Sequence, residues 1–150
     1  MPQAAKATTT KRTFSRETSI SVDVQASPKI IWQLLTTASD MPGWNSTIVS
    51  LEGVIRQGET IQLKSTLDEK RTFKLKVKEL MPEQRLVWGD SQGNRVYTLA
   101  PKGKHVTTVT MTETIGGPIF PLFARFIPPF DESFEQFAAD LKREAEARQG

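Results

Sequence analysis

The sequence has no cysteine and one histidine among its 150 residues. The absence of cysteine excludes disulfides, thiolate nucleophiles and cysteine-ligated metals. The single histidine, His105, stands beside a turn signal in "KGKHV", where it is typical of a solvated loop. This composition argues against both a zinc site and a Ser-His-Asp triad. We therefore expect no metal and no cofactor.

Long apolar runs are also missing. No segment approaches the roughly 20 residues that a membrane-spanning helix requires, and the N-terminus lacks the apolar core of a secretory signal. The apolar share of 37% and the charged share of 25% fit a globular domain. We expect a cytoplasmic protein with no integral membrane insertion.

The excess of positive charge is confined to the N-terminus. The chain carries a formal charge of +3, and residues 1–16 hold Lys6, Lys11, Arg12 and Arg16 with no acid. Without these four bases, 16 basic residues stand against 17 acidic ones. A nucleic-acid-binding domain normally presents a basic face rather than a basic tail. We therefore expect no nucleic-acid partner.

The hydrophobic pattern predicts one mixed domain. Residues 1–13 have no periodicity and are predicted to form a disordered arm, which leaves residues 14–150 as a single domain. The stretch "ETSISVDVQA" alternates as a strand does. The next stretch, "SPKIIWQLLTT", begins with Ser27 and Pro28, which suit the N-cap and the first position of a helix. "ASDMPGWN" then predicts a short second helix or a turn.

Six alternating segments follow, separated by turn signals at intervals of about 8 to 12 residues, as in an antiparallel meander. The clearest is "RTFKLKVKEL", in which three apolar residues alternate with three lysines. That pattern is typical of a sheet with one buried and one solvated face. The lysine row is most simply solvent-facing.

The C-terminal stretch "DESFEQFAADLKREAEAR" predicts a long amphipathic helix, and Phe130 and Phe134 lie on its apolar stripe. Two consecutive prolines, Pro128 and Pro129, cannot lie inside an uninterrupted helix. The preceding "PIFPLFARFI", which contains Phe123, is therefore predicted to be a separate short helix or a bent segment. It is open whether this segment is a gate, a cover over the sheet or the interface of a homodimer.

The order of elements indicates an α+β fold: a strand, two short helices, about six strands and a long helix. A six- to seven-stranded sheet with one solvated face must cover its other face, and only the last helix is long enough to do so. Where a curved sheet and that helix diverge, a gap can remain. We expect a small hydrophobic molecule to bind in this gap.

Glu113 is the candidate polar group of the gap. Alternation places it on the same inward face as Met111, and a carboxylate on an apolar face must be paired, protonated or near water. A hairpin that pairs Leu99 with Thr107 puts Arg95 opposite Met111 and diagonal to Glu113. The pair is either a structural ion pair, an anchor for the polar head of a ligand, or the setting of a general base, Glu113.

Aromatic side chains supply the remaining candidates. Trp88 alternates with an inward leucine, and Trp44 lies in the turn before the second strand. Such residues suit a flat hydrophobic ligand, although filling the core is an equally ordinary role. The predicted ligand-binding residues are Trp44, Trp88, Arg95, Tyr97, Met111, Glu113, Phe123, Phe130 and Phe134.

Several stretches resemble one known group of proteins: "SPKIIWQLLT", "WNSTIVSLEGVIRQGETI", "RLVWGD", "YTLAPKG" and "TTVTMTETIGGPIFPLF". Together they span about residues 17–147 and resemble the START-like, or SRPBCC, superfamily. Within it they are similar to a bacterial branch labelled polyketide cyclase/dehydrase. The resemblance implies the helix-grip fold, in which a curved antiparallel sheet wraps around the C-terminal helix and a ligand cavity lies between them.

The resemblance also implies alternatives for function. Members of the branch frequently carry histidines at the positions of Arg95 and Met111, and a glutamate at the position of Glu113. Only the glutamate is kept here. Binding of a lipid, polyketide or aromatic molecule is therefore favoured over a cyclase or dehydratase that uses Glu113. A protein-interaction module similar to Hsp90-activator-like relatives is the third alternative.

Overall fold

The computed structural model describes residues 4–150, and one eight-stranded antiparallel sheet organises them in the order β1-β2-β8-β7-β6-β5-β4-β3. The sheet is curved, and the C-terminal helix covers its inner face. The strands are β1 Thr8–Lys11, β2 Ser15–Val24, β3 Ile48–Glu52, β4 Thr60–Ser65, β5 Asp68–Met81, β6 Arg85–Gly89, β7 Gly93–Pro101 and β8 Thr107–Gly116. The helices are α1 Pro28–Thr36, α2 Met41–Trp44, α3 Phe120–Phe123 and α4 Asp131–Gln149.

Local sequence explains where the helices begin and end. Ser27 caps α1 by accepting a hydrogen bond from the Ile30 amide, and Pro28 occupies the first turn, as predicted. A single 3-10 turn, Ala38–Asp40, leads directly into α2. The segment before α4 is separate from it, because α3 and a 3-10 turn at Ala124–Phe126 end before the two prolines.

The predicted fold is confirmed, but the strand count is corrected from six or seven to eight. The additional strand, β1, pairs with β2 over Thr8–Lys11. The expected disordered arm over residues 1–13 is therefore wrong for residues 8–11, while residues 1–3 lie outside the described part of the chain. Backbone pairing and the polar contacts of Thr9 hold β1 in place: its hydroxyl group lies 3.0 Å from that of Thr18 and donates to Asp131 at 2.7 Å.

The register of the β7–β8 hairpin also differs from the prediction. Leu99 lies opposite Val109 rather than Thr107, so Arg95 lies directly opposite Glu113. The reason is that the turn is centred one residue later than expected, with Lys102 donating its amide to the Val106 carbonyl. A shift of one residue at the turn moves each partner by two, which leaves every side chain on its predicted face.

The core lies between the inner face of the sheet and α4. The predicted apolar stripe of α4 is buried along its length, from Phe134 to Ala145. The helix α4 packs against β2 and α1, and its Leu141 is fully buried. None of the helices in residues 4–150 is both long and apolar enough to cross a membrane.

Candidate ligand cavity

A cavity of about 240 Å³ lies where the sheet and the start of α4 diverge. It is at the end of the sheet where β6 ends, β7 begins and β8 ends. The segment between β8 and α4 closes one side through Phe123, Phe126 and Ile127, while Ser133 lies on the first turn of α4. The gap that the fold predicts is therefore present at one end of the molecule.

Apolar side chains form about half of the cavity wall, and the polar remainder includes Asp68, Arg71 and Asp90. Strands β4 and β5 contribute Leu63, Phe73 and Leu75, and β8 contributes Ile115. Trp88, near the end of β6, is buried and also lines the cavity. A lining of this kind is typical of sites for small molecules, in which a few polar groups orient an otherwise apolar ligand.

The lining also contains an ion pair between neighbouring strands, which is more buried than the exposed lining residues Asp68 and Arg71. Arg95 on β7 donates through its Nε atom to the Oε1 atom of Glu113 on β8, at 2.7 Å. Both side chains are mostly buried, with 17% and 18% of their surfaces exposed. The Arg95 guanidinium also lies over the ring of Phe134, 5.3 Å from its centroid, a favourable cation–π arrangement.

Electrostatics keep Arg95 charged in this setting. Burial by itself lowers the pKa of Arg95, but the negative charge of Glu113 and the contact with Tyr97 outweigh burial and raise that pKa above its ordinary value. Burial raises the pKa of Tyr97, and Arg95 only partly offsets this. The cavity therefore presents a permanent cation, and the buried Tyr97 behind it stays a neutral phenol.

Arg16 connects the sheet to the segment that closes the cavity. Its guanidinium donates to the carbonyl oxygens of Ile127 and Pro128, at 3.2 and 2.8 Å, and lies 4.6 Å from the centroid of the Phe130 ring. Burial lowers the pKa of Arg16, while Glu113 and Asp131 oppose that shift. These contacts fix the position of the chain just before α4.

Five of the nine predicted ligand-binding residues line the cavity, and four do not. The lining residues are Trp88, Arg95, Glu113, Phe123 and Phe130. The other four are buried in the core: Trp44, Tyr97, Met111 and Phe134.

Those four residues pack around the cavity floor rather than facing the space itself. Tyr97 makes an edge contact with Trp88, with ring centroids 5.2 Å apart, and packs on Phe137 at 5.8 Å. Trp44 contacts the other side of Phe137 at 6.1 Å. Alternation identifies which face of a strand is buried. It does not show which residues of that face pack in the core and which border a cavity.

Sequence reasoning did not select several lining residues. Phe73 and Leu75 were recognised as inward-facing, but nothing in their alternation distinguished them from Val77, which is fully buried. Strand register could have identified these residues, because the cavity lies at the strand ends that are level with Arg95 and Glu113. The residues missed in this way are Leu63, Leu67, Phe73, Leu75, Ile115, Phe126 and Ile127.

Residues 4–150 contain no cluster of three or more histidine, aspartate or glutamate side chains placed to hold a metal ion.

Comparison with known proteins agrees with this architecture. A START superfamily protein from Mycobacterium smegmatis superimposes with a TM-score of 0.67 at 18% identity, over 88% of this chain and 98% of that one. A norcoclaurine synthase point mutant from Thalictrum flavum, solved with a transition-state analogue, gives 0.69 at 14% identity, over 94% and 100%. A conserved protein of unknown function from Enterococcus faecalis gives 0.69 at 14% identity, over 97% and 80%. None of the curated proteins matches the chain in sequence.

A curved antiparallel sheet that encloses a C-terminal helix and a cavity defines the START-like, helix-grip class. Residues 15–146 match the model of one family, described as polyketide cyclase / dehydrase and lipid transport. The chain belongs to that family.

Proposed function

We propose that the chain binds a small, mostly apolar molecule in the cavity and that Arg95 and Glu113 hold its polar end. The observation that carries the proposal is the position of a largely buried ion pair beside the apolar side chains of the cavity wall. Burial against Trp88 and the surrounding phenylalanines and leucines supplies the apolar part of the binding energy, about 25 cal/mol per Å² before the costs of association.

The ion pair has hydrogen-bonding groups that a ligand could still contact. Its close contact joins one nitrogen of Arg95 to one oxygen of Glu113. In residues 4–150, the only fully enclosed side-chain nitrogen or oxygen without a partner is Trp44 Nε1. The terminal nitrogens of Arg95 therefore either contact Tyr97 or remain open to solvent. They offer N–H donors next to a carboxylate acceptor, which suits a ligand with a carbonyl, hydroxyl or carboxylate group.

The size of the cavity limits the ligand further. A volume of about 240 Å³ is just below the range of about 300 to 1,000 Å³ that is usual for sites of drug-sized ligands. We therefore favour a compact molecule, such as a small aromatic or polyketide, over a long-chain lipid.

The position of the histidine favours binding over catalysis. His105 is exposed in the β7–β8 turn, at the opposite end of the sheet from the cavity. It is therefore too far away to act as an acid–base partner of Glu113. For this reason we favour a binding protein over a cyclase or dehydratase.

Trp88 allows a direct test, because it lines the cavity. Small aromatic polyketides and fatty acids of increasing chain length would be titrated while tryptophan fluorescence is recorded. We expect a saturable change with at least one compact ligand, and we expect Trp88→Phe to remove most of that change. Loss of a charge-assisted hydrogen bond in Arg95→Gln or Glu113→Gln should weaken binding about tenfold.

The chain contains a matched control for these variants. Arg85 and Glu79 form a second pair between neighbouring strands at the same distance, 2.7 Å, but outside the cavity and exposed. Arg85→Gln should leave binding unchanged. If no compound in the panel gives a saturable signal, or if Arg85→Gln weakens binding as much as Arg95→Gln does, the proposed site is wrong.

A further inference from the structure

An exposed apolar surface lies at the cavity end of the molecule. Seven large apolar side chains are exposed in residues 4–150, and four of them belong to this surface. We call it the apolar tip; it consists of Phe14, Ile119, Leu122 and Phe126, each between 58% and 76% exposed. Clustered exposure of this kind marks an interaction site more often than single exposed residues do.

Two chain segments that are distant in sequence form the tip, and backbone contacts hold them together. Phe14 lies in the turn between β1 and β2, and its carbonyl accepts a hydrogen bond of 3.0 Å from the Gly117 amide. Gly117 has a φ of +138°, which favours glycine. Arg16 then holds the carbonyls of Ile127 and Pro128. The turn and the α3 segment are thus built as one surface.

The two segments that form the tip carry charges of one sign, although the cavity that Phe126 borders also has Asp68 and Asp90 in its lining. Lys11, Arg12 and Arg125 are exposed, and none of them forms an ion pair with any residue of the described chain. No acid occurs in residues 4–16 or 117–130. The guanidinium of Arg125 lies 4.8 Å from the centroid of the Phe126 ring, so a cation and an apolar side chain are presented side by side.

These features distinguish between possible partners. A two-fold contact between two copies through the tip would bring the three cations of one copy against those of the other, which is unfavourable. A bilayer with anionic lipids matches both features at once, because its headgroups attract the cations and its acyl region accepts the apolar side chains.

We infer that the apolar tip docks on the surface of an anionic phospholipid bilayer. Ile119, Leu122 and Phe126 enter the boundary between headgroups and acyl chains, and Lys11, Arg12 and Arg125 bind the headgroups. Phe126 is 70% exposed and also lines the cavity, so docking places the cavity mouth at the membrane. Docking itself does not depend on the proposed ligand site, although a docked protein would take an apolar ligand directly from the bilayer.

Sedimentation with phosphatidylcholine vesicles, with and without about one-third phosphatidylglycerol, tests the inference. We expect the wild-type protein to bind the anionic vesicles, and added salt to weaken that binding. Ile119→Asp together with Leu122→Asp should lower the affinity about tenfold or more. Replacement of Lys11, Arg12 and Arg125 by Gln should lower it about fivefold per cation.

Matched control variants show whether a loss of vesicle binding is specific to the apolar tip or follows from any change in charge or hydrophobicity. Val54 and Met81 are exposed apolar residues at the opposite end of the sheet, so Val54→Asp with Met81→Asp should leave vesicle binding unchanged. Replacement of Lys74, Lys76 and Lys104 by Gln removes the same charge elsewhere and should have a smaller effect than the tip variant.

Three outcomes would overturn the inference: no binding to anionic vesicles, equal losses in the tip and control variants, or a dimer that Leu122→Asp converts to a monomer. Ile119 and Leu122 do not line the cavity, so their variants should keep the fluorescence response to soluble ligands. Failure of membrane docking is thereby distinguishable from failure of the ligand site.

Discussion

The middle and the start of α4 face buried charges that differ in how fully the protein hydrogen-bonds them. Near the middle of the helix, Asp140 is 1% exposed and accepts four hydrogen bonds, two from Ser46 and one each from Gln136 and Arg143, at 2.7 to 3.2 Å. Near its start, Arg95 and Glu113 form one close contact with each other, and Arg95 also contacts Tyr97. The first charge is saturated by the protein, whereas the second is not.

This difference separates a structural polar group from a candidate functional one. Asp140 joins α4 to the turn before β3, where Ser46 supplies both its amide and its hydroxyl. A buried charge with all its bonds satisfied stabilises one arrangement of the chain. A buried charge with unused bonds keeps the capacity to bind something else.

Removal of the saturated charge should have the largest effect. Asp140→Ala leaves the donors of Ser46 without their acceptor, and we expect the free energy of unfolding to fall by about 2 to 4 kcal/mol. Urea denaturation followed by circular dichroism measures this. Glu144→Ala, which breaks the exposed contact with Arg148, serves as the control and should cost at most about 0.5 kcal/mol. Equal losses in the two variants would contradict a structural role for Asp140.

A second test adds volume at the start and near the middle of the same helix. Ser133 borders the cavity, whereas Ala138 is 1% exposed in the filled core. We expect Ala138→Phe to cost about 1 to 3 kcal/mol through overpacking. Ser133→Phe has space to occupy, so it should change stability little while abolishing ligand binding. Thermal unfolding together with the fluorescence titration checks both results, and a large loss of stability in Ser133→Phe would argue that no hollow exists.

The smallest expected effect is on the acid dependence of stability. Burial by itself raises the pKa of Asp140, but the hydrogen bonds from Ser46 and Gln136 and the charge of Arg143 outweigh burial and hold that pKa below its ordinary value of 3.8. A carboxyl whose pKa is lower in the folded state stabilises the protein fully above its unfolded pKa, and this stabilisation is lost as pH falls through the folded value.

The free energy of unfolding of the wild-type protein should therefore decline more steeply below about pH 4 than that of Asp140→Asn. Urea titrations at several pH values between neutral and about pH 3 would show the difference. If the free energy of unfolding of the two proteins falls equally as the pH is lowered, Asp140 is not the group that causes the loss of stability in acid.

Much of the fold follows from patterns that the sequence displays. Seven strands were predictable because their inward residues alternate, and α1 was predictable because Ser27 and Pro28 mark its start. β1 was not predictable in this way, since Thr8–Lys11 contains no apolar residue and is held by backbone pairing and by the contacts of Thr9. A strand that joins the edge of a sheet through polar contacts shows no hydrophobic periodicity in its sequence.

The candidate site was predictable only in part. Arg95 and Glu113 were identified as neighbours because the side-chain period of a strand keeps them on one face even when the turn is misplaced by one residue. The location of the hollow was not predictable, because it depends on how far the start of α4 stands from β4 and β5. That distance is a tertiary property, which explains why Tyr97 and Met111 pack in the core while Phe73 and Leu75 border the cavity.

The two outermost strands of the sheet have a consequence for self-association. β1 has four residues and ends in Lys11, and β3 has five residues with a register shift between Ile48 and Ser50. Exposed edge strands that are long and flat can pair with other chains and start amyloid-like aggregation. Both edge strands here are short, and one is irregular. The eight-stranded sheet therefore offers little backbone template for fibril growth.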